Sequence, residues 1–134
     1  MKKSRFTRYL VKILKEEKIK NLRIKDGWIS FEYDDDKIRD KIVIRKHECF
    51  VGNWAKTKDV VYVDDSFKDK VDIDAVALHE AVEKFVTQKY GLNEDKESHD
   101  IANAKEKEYL RKIGKSWEKH QRVVDKVWRM EGKK

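Results

Sequence analysis

The chain has no proline and a single cysteine, Cys49, in 134 residues. Without proline, no loop is made rigid by a fixed backbone angle. One cysteine cannot form an internal disulfide, so we expect the protein to fold in a reducing compartment. No long apolar run follows the basic N-terminus, and we therefore expect no signal peptide and no membrane-spanning segment. The expected location is cytoplasmic.

Charged residues are abundant, at 44% of the chain against 39% hydrophobic residues. The apolar residues nevertheless recur periodically, which favours a folded protein over a disordered one. The length predicts a single domain over residues 1–134. Lys and Glu are frequent and Gln is scarce, a bias typical of thermophile proteins that an AT-rich genome would also leave.

The net charge of +7 is unevenly distributed along the chain. Residues 1–25 carry ten Lys and Arg against two Glu, and residues 105–134 carry eleven against five acidic residues. The centre is therefore acidic. Basic ends could contact nucleic acid or an acidic partner protein, and the alternative is an ordinary solvated helix surface.

Apolar periodicity divides the chain into an N-terminal helix, about four strands and a set of later helices. The first helix has a narrow apolar stripe, so we expect it to lie against a sheet. Asp26-Gly27 predicts a tight hairpin turn, because that turn needs positive φ angles. The predicted segments are a helix over 4–17, a hairpin over 21–33, an exposed turn at 34–36, strands at 41–45 and 59–64, and a loop at 52–54.

The later helices complete a predicted α+β fold with a small, mostly antiparallel sheet. One helix should begin at a cap on Asp72 or Asp74 and end at Tyr90, since Gly91 suits a left-handed stop. Asn93 should begin the next helix, which Gly114 interrupts. The residues predicted to face inward on the last two helices are His99, Ala102, Glu106, Tyr109 or Leu110, Ile113, Trp117, His120, Val124, Val127 and Trp128.

The chemistry of the chain concentrates in His79-Glu80-Ala81-Val82-Glu83. His79 and Glu83 are four residues apart, on one face of the predicted helix, and Glu80 lies between them. The number of His-Glu-x-x-Glu matches expected by chance is roughly 0.03. Apolar neighbours indicate a buried helix, and burial of unpartnered charge costs several kcal/mol. These groups therefore need a divalent metal or an internal ion pair.

A second histidine and carboxylate, His99 and Glu106, lie on the inward stripe of the next helix. A short loop around Gly91 makes the two helices antiparallel neighbours, so His79, Glu83 and His99 can converge. Two imidazoles and one carboxylate suit zinc, or iron and manganese nearly as well. Zinc lowers the pKa of its bound water to about 7, and Glu80 is the predicted general base. Glu106 is predicted to orient a ligand histidine or to be a fourth ligand.

Each of these residues also has a simpler interpretation. His79 and Glu83 could form only an exposed helical ion pair, and His99 could be a surface residue. His120 lies on an apolar stripe, where hydrogen bonds usually satisfy a lone histidine. His47 and Cys49 could add soft ligands to a metal, although a plain strand end is the commoner explanation.

The strand Val60–Val63, a loop and the helix with His79-Glu80 together resemble the zincin-like metallopeptidase fold. In that family an edge strand precedes the motif helix and pairs with the substrate peptide. The resemblance implies that His79 is the first ligand and Glu80 the catalytic glutamate. The family's second ligand histidine falls on Glu83, and its third ligand matches His99 by position.

The chain also resembles small uncharacterised zincin-like proteins of archaea and phages, in which His-Glu-x-x-Glu is followed by His-x-x-Ala, here His99-Asp100-Ile101-Ala102. The resemblance covers residues 60–110 and leaves out the basic helix over 115–134. It implies a zinc-dependent hydrolase that acts on a peptide or protein substrate. The alternative is a nucleic-acid-associated protein or a protein-interaction module, with a structural or vestigial metal site.

Overall fold

The structure, a computed structural model, describes residues 5–46 and 51–132, and the predicted soft ligands His47 and Cys49 lie outside them. The described residues form an α+β fold, as predicted, with five strands where about four were expected. The elements are α1 Arg5–Glu16, β1 Lys20–Lys25, β2 Trp28–Tyr33, β3 Asp36–Arg45, β4 Gly52–Trp54, β5 Val60–Asp64, α2 Lys70–Tyr90, a short π-helix Glu94–Ser98, α3 His99–Lys112 and α4 Trp117–Gly132.

The strands form one sheet in the order β1-β2-β3-β5-β4. Only β3 and β5 run parallel among the described strands, so the sheet is mostly antiparallel, as predicted. The hairpin turn at Asp26-Gly27 is confirmed, with φ angles of 54° and 79°. Asp34 and Asp35 make a second turn of this kind, at 52° and 63°. Asp tolerates the left-handed region, so Asp34 and Asp35 can form a tight turn between β2 and β3. Strand β3 therefore starts directly after this turn, at Asp36, five residues before the predicted strand.

The predicted loop at residues 52–54 is wrong, because Gly52–Trp54 is the edge strand β4. It pairs antiparallel with β5, and Asn53 lies opposite Tyr62. Gly and Asn are poor strand formers, so pairing with β5 rather than local propensity makes this strand. The strand Val60–Val63, which matched the family's edge strand, instead lies inside the sheet between β3 and β4.

Helix α2 ends as predicted, with Gly91 at a φ of 65°. It begins at Lys70, two to four residues before the predicted caps. Asp69 is the N-terminal flanking residue, and neither predicted cap serves that role. Asp74 instead forms an ion pair with Lys70 at 2.6 Å, and Asp72 lies in the first turn, where a carboxylate suits the helix dipole.

Asn93 starts the next helical segment, since its side chain accepts a hydrogen bond from the Asp95 backbone. Gly114, at a φ of 76°, separates α3 from α4 as predicted. The prediction that Ile113 and Trp128 face inward is wrong, because both are exposed. Ile113 comes directly after Lys112, the last residue of α3. Along the described part of α4, the fully buried side chains are those of His120 and Val127.

The main core lies between the sheet and α2, with Ile29, Phe31 and Val63 from the sheet against Leu78 and Val82 from α2. Helix α1 buries one residue, Leu14, and contacts α3. The carbonyls at the end of α1 are satisfied by the buried Lys105, whose Nζ donates to the oxygens of Lys15 and Glu17. No helix in the described part of the chain combines the length and apolarity needed to cross a membrane.

Candidate metal centre

His79, Glu83 and His99 form a cluster in which one ligand atom of each lies within 4.8 Å of the others, so the group could hold a metal ion. The first two residues are buried on α2, which excludes an exposed helical ion pair. His99 is the first residue of α3, and its side chain is 49% exposed. The short π-helix turns the chain back after α2 and places His99 beside the motif.

Glu83 lies between the two imidazoles. Its Oε2 is 3.2 Å from Nε2 of His79 and 3.4 Å from Nδ1 of His99. The indole Nε1 of Trp54 on β4 donates to the other oxygen, Oε1, at 3.2 Å. Burial acts to raise the pKa of Glu83, but these hydrogen bonds lower it to about 2. The carboxylate is therefore ionised and fixed in position.

Glu106 joins this cluster to a second buried histidine. Its Oε1 is 2.8 Å from Nδ1 of His79, and its Oε2 accepts a hydrogen bond from Nε2 of His120. Nδ1 of His120 in turn lies 2.7 Å from Oδ1 of Asp72. A continuous chain therefore runs from Asp72 on α2, through α4 and α3, back to His79. Both ring nitrogens of His120 are satisfied by hydrogen bonds, as predicted for that residue.

This hydrogen-bonded chain sets the charges of its members. Burial acts to lower the pKa of His79 and of His120, but hydrogen bonds to carboxylates outweigh it and raise both. Burial acts to raise the pKa of Glu106, and its bonds to the two histidines lower it. Each imidazole in the chain therefore favours its protonated form beside an ionised carboxylate.

Glu80 is buried as deeply as its neighbours, with 6% of the residue exposed, but its carboxylate makes no hydrogen bond with any described residue. Burial, opposed by His79, raises the pKa of Glu80 to about 8. The carboxylate lies against Gly52 of β4. A Cβ atom on Gly52 would be 3.1 Å from Oε2 of Glu80 and 2.8 Å from Cγ1 of Val76. Glycine therefore permits the close approach of β4 to α2.

The free edge of β4 faces away from β5. The Asp64 backbone donates to Val51, and the Ala55 backbone donates to Val60, so β4 bonds β5 at alternate residues. In an antiparallel pair, the residues between these bonds point their backbone groups outward. Gly52 and Trp54 occupy those positions. The Trp54 N–H is already bonded to the Asn53 side chain, whereas the outward backbone groups of Gly52 bond no described residue.

These residues line a cavity of about 470 Å³ between β4, α2, α3 and α4. The motif and β4 form one side, and α4 forms another through exposed Asp125 and Trp128. The described lining residues are Val51, Gly52, Asn53, Val76, His79, Glu80, Glu83, Glu94, Asp95, His99, Asn103, Glu106, Gln121, Val124, Asp125 and Trp128.

The sequence missed several members of this site. Trp54 lay in a predicted loop, and the Glu106–His120 contact spans fourteen residues across a helix break. A weak signal existed, because Glu106 and His120 are polar residues on apolar stripes. Nothing local predicted that Gly52 would touch Glu80.

Helical spacing and the short loop around Gly91 had predicted that His79, Glu83 and His99 would meet. The fold brings these three side chains together, with Glu80 and Glu106 next to them in the same cavity. The contacts described above are the basis for inferring the chemical role of each residue. No protein-family model, curated protein or solved structure matches this chain.

Proposed function

We propose that this protein is a metal-dependent hydrolase of the zincin-like type, with zinc bound by His79, Glu83 and His99. The observation that carries the proposal is the buried residue Glu80, whose carboxylate makes no hydrogen bond with a described residue and lies beside a His-Glu-His cluster in an open cavity. Two imidazoles and one carboxylate are a donor set that zinc uses in hydrolytic enzymes, and iron or manganese are alternatives.

The hydrogen bonds of the cluster fit a bound divalent ion. Both ring nitrogens of His79 face carboxylates, Glu106 on one side and Glu83 on the other. A metal would replace the proton on the Glu83 side, while Glu106 would keep the other proton and hold the ring in place. Trp54 occupies Oε1 of Glu83, so Oε2, which faces both imidazoles, is the oxygen available for the ion.

In the proposed hydrolysis, the metal ion and Glu80 have separate roles. A divalent ion held by His79, Glu83 and His99 would supply Lewis acidity, which favours ionisation of water and polarises a substrate carbonyl. Glu80 would accept the proton of the attacking water as the general base, because the charge of a bound divalent ion would lower its pKa from about 8, and would return it to the leaving group. Its carboxylate is suited to this work because it lines the cavity and has no described structural partner.

The proposed substrate is a peptide or a protein segment. The backbone N–H and C=O of Gly52 point outward along the free edge of β4, next to Glu80. An extended peptide can add to such an edge by main-chain hydrogen bonds. A scissile peptide bond laid there would lie beside the cluster, which supports peptide hydrolysis over reactions on substrates without a peptide backbone.

Metal content, measured by mass spectrometry on protein purified without an affinity tag, tests the binding half of the proposal. We expect close to one equivalent of metal in the wild type and almost none in His79→Ala and His99→Ala. His120→Gln is the control, because it lies behind Glu106 and should weaken binding by roughly 10- to 100-fold without abolishing it. A wild type that takes up no metal even after reconstitution would overturn the proposal.

Glu80→Gln tests the catalytic half. The variant should keep its metal and lose turnover of any peptide that the wild type cleaves, by roughly 100-fold or more. Glu16→Gln, an exposed glutamate on α1, is the matched control and should cleave normally. Normal turnover by Glu80→Gln would exclude it as the general base.

A second candidate function is binding of single-stranded nucleic acid through α1. This helix exposes Phe6, at 72%, and Tyr9, with Arg5, Arg8 and Lys12 around them. Exposed aromatic and basic side chains together suit stacked bases and phosphates. Binding to an oligothymidylate should then weaken steeply between about 50 and 200 mM salt. No binding at the lower concentration would remove this function.

A further inference from the structure

The cavity around the metal cluster is acidic although the whole protein is basic. Its described lining includes six carboxylic acids, from Glu80, Glu83, Glu94, Asp95, Glu106 and Asp125, which outnumber the protonated His79, and no Lys or Arg. The chain as a whole has a net charge of +7. A cleft lined by one sign of charge concentrates ligands of the opposite sign. The acidic cavity therefore favours a cationic ligand, whereas the basic protein as a whole attracts anions.

The six carboxylates divide into two sets. Glu83 and Glu106 form hydrogen bonds with histidines, and Glu80 is a buried residue of the cavity lining. The remaining three are exposed at the rim, two on the π-helix and one on α4. None of the three forms an ion pair with a described residue. They are available to a positively charged ligand.

The negative charges around Glu94 outweigh the nearby cation Lys56. Burial, Glu83 and Asp95 all raise the pKa of Glu94, and the opposing effect of Lys56 is smaller. The negative potential at this side of the cavity is therefore not neutralised within the described fold.

Glu80 is an independent sign of a positively charged ligand. The residue is 6% exposed, lines the cavity and makes no hydrogen bond with a described residue. Leaving such a group unpaired costs free energy in the folded protein. The metal proposed above would offset part of this cost, and a cationic substrate group would add to it.

Asp125 and Trp128 make the outer wall suited to one kind of cation. They are three residues apart on α4 and therefore neighbours on its surface. Trp128 is 51% exposed, so its ring is accessible beside the Asp125 carboxylate. An indole face attracts Lys and Arg side chains, and a carboxylate next to it adds an ion pair. A flexible side chain with a charged tip can reach both groups.

We propose that the site selects peptides with a Lys or Arg side chain close to the bond placed at the cluster, through Glu94 and Asp95 on one rim and Asp125 and Trp128 on the other. The inference rests on the proposed function, because it takes the peptide backbone to lie along β4. Alternate side chains of an extended peptide point to one face. One of them would therefore point into the acidic cavity.

Peptide binding tests this selectivity without turnover. The probes are three short fluorescein-labelled alanine-rich peptides with Lys, norleucine or Glu at the central position. They are titrated by fluorescence anisotropy into zinc-loaded and zinc-free Glu80→Gln protein at about 50 mM salt. We expect the Lys peptide to bind at least about tenfold more tightly than the norleucine peptide, and the Glu peptide more weakly than both.

Two variants assign the preference to the rim. Combined Glu94→Gln, Asp95→Asn and Asp125→Asn changes should reduce the Lys preference to about twofold or less. Glu16→Gln, Asp35→Asn and Asp65→Asn make the same change of net charge at exposed positions outside the cavity and should leave the preference intact. Trp128→Ala should lower the preference about two- to fivefold.

Equal binding of the Lys and norleucine peptides, no binding of the Lys peptide, or an equal loss in both triple variants would overturn the selectivity. Metal content and cleavage are measured separately, so the two proposals can fail separately. If the protein binds zinc and cleaves peptides without a charge preference, the proposal of a hydrolase stands and the proposal of Lys/Arg selectivity is wrong. If the protein has no metal and no turnover but still prefers the Lys peptide, the selectivity stands and the hydrolase proposal is wrong.

Discussion

Helix α2 buries two opposite charges one turn apart, and the fold treats them differently. Lys84 lies against β3, where its Nζ donates to Oδ1 of Asp40 at 3.0 Å and to the carbonyl oxygen of Lys58. Glu80 lies against β4 and makes no hydrogen bond with a described residue. On an exposed helix, Glu80 and Lys84 have the spacing and order that favour an ion pair with each other. Here Lys84 bonds Asp40 instead.

The difference separates a charge that maintains the fold from one that is available to a ligand. A buried ion pair adds little net stability over an apolar pair, but loss of one partner leaves an uncompensated charge. Burial raises the pKa of Asp40, and Lys84 opposes that rise, so Asp40 depends on Lys84. Glu80 makes no hydrogen bond with a described residue, and the charge of His79 opposes its burial only in part, which is the arrangement expected of a reactive group.

The largest expected effect comes from breaking the paired side. Lys84→Met should lower the free energy of unfolding of the metal-free protein by about 3–5 kcal/mol, because Asp40 is left buried without its cation. Urea unfolding gives the value. Lys12→Met, at an exposed position, is the control, and the double variant with Asp40→Asn should recover most of the loss. A cost below about 1 kcal/mol would mean that Lys84 is not buried against Asp40.

Replacing Glu80 should raise the free energy of unfolding, whereas replacing Lys84 should lower it. The folded pKa of Glu80, about 8, lies above its usual value of 4.5, so ionisation opposes folding. Between these two values the folded state binds more protons, and wild-type stability falls as pH rises. Glu80→Gln should therefore be the more stable protein, by a margin that grows from about pH 4.5 to about pH 8 and reaches a few kcal/mol.

Glu83→Gln is the internal control for that pH series, measured by urea unfolding with a chelator present. The folded pKa of Glu83 is lowered to about 2, so its ionised form stabilises the folded protein above about pH 4.5 and this contribution is lost as pH falls. Glu83→Gln should be less stable than the wild type at neutral pH. Equal slopes for the two variants would contradict the distinction between paired and unpaired carboxylates.

A smaller effect is expected at the surface that Glu80 lies against. Gly52→Ala should cost about 1–3 kcal/mol, because the added methyl group would overlap the Val76 side chain and displace the Glu80 carboxylate. Thermal unfolding measures the loss, and a second change, Val76→Ala, should recover part of it. If Gly52→Ala were as stable as the wild type, β4 would lie farther from α2.

The smallest effect should come from a paired charge at the exposed end of the same helix. Lys89 forms ion pairs with Asp36 at 2.6 Å and with Asp34 at 3.0 Å, close to the surface. Lys89→Ala should cost less than about 1 kcal/mol, and the cost should shrink as salt is added. A loss as large as that of Lys84→Met would show that burial does not distinguish the two lysines.

Local signals in the sequence predicted much of the fold. Asp26-Gly27 specified a hairpin, Gly91 ended a helix, and the spacing of His79 and Glu83 placed both on one buried face. These signals act between residues no more than a few positions apart, so they operate before the fold forms. The edge strand β4 was missed because its strand conformation comes from pairing with β5.

The candidate site, like the fold, was predicted from the sequence only in part. A short connection between two helices sufficed to bring His99 to His79 and Glu83. Trp128 was placed inside because helical periodicity reports a face but not which neighbour covers it. The contact of Glu106 with His120 required two helices to cross, and no periodic pattern carries that information.

The sequence by itself determined the helices, most of the strands and the residues that a metal site would use, since propensity and spacing are local properties. Only the tertiary structure decided which charge pairs with which. Lys84 bonds Asp40 rather than Glu80, and Glu106 bridges His79 and His120. A buried charge takes the partner that packing brings within hydrogen-bond distance, because desolvation penalises every unpaired alternative. That selection left Glu80 facing the cavity without a hydrogen bond to any described residue.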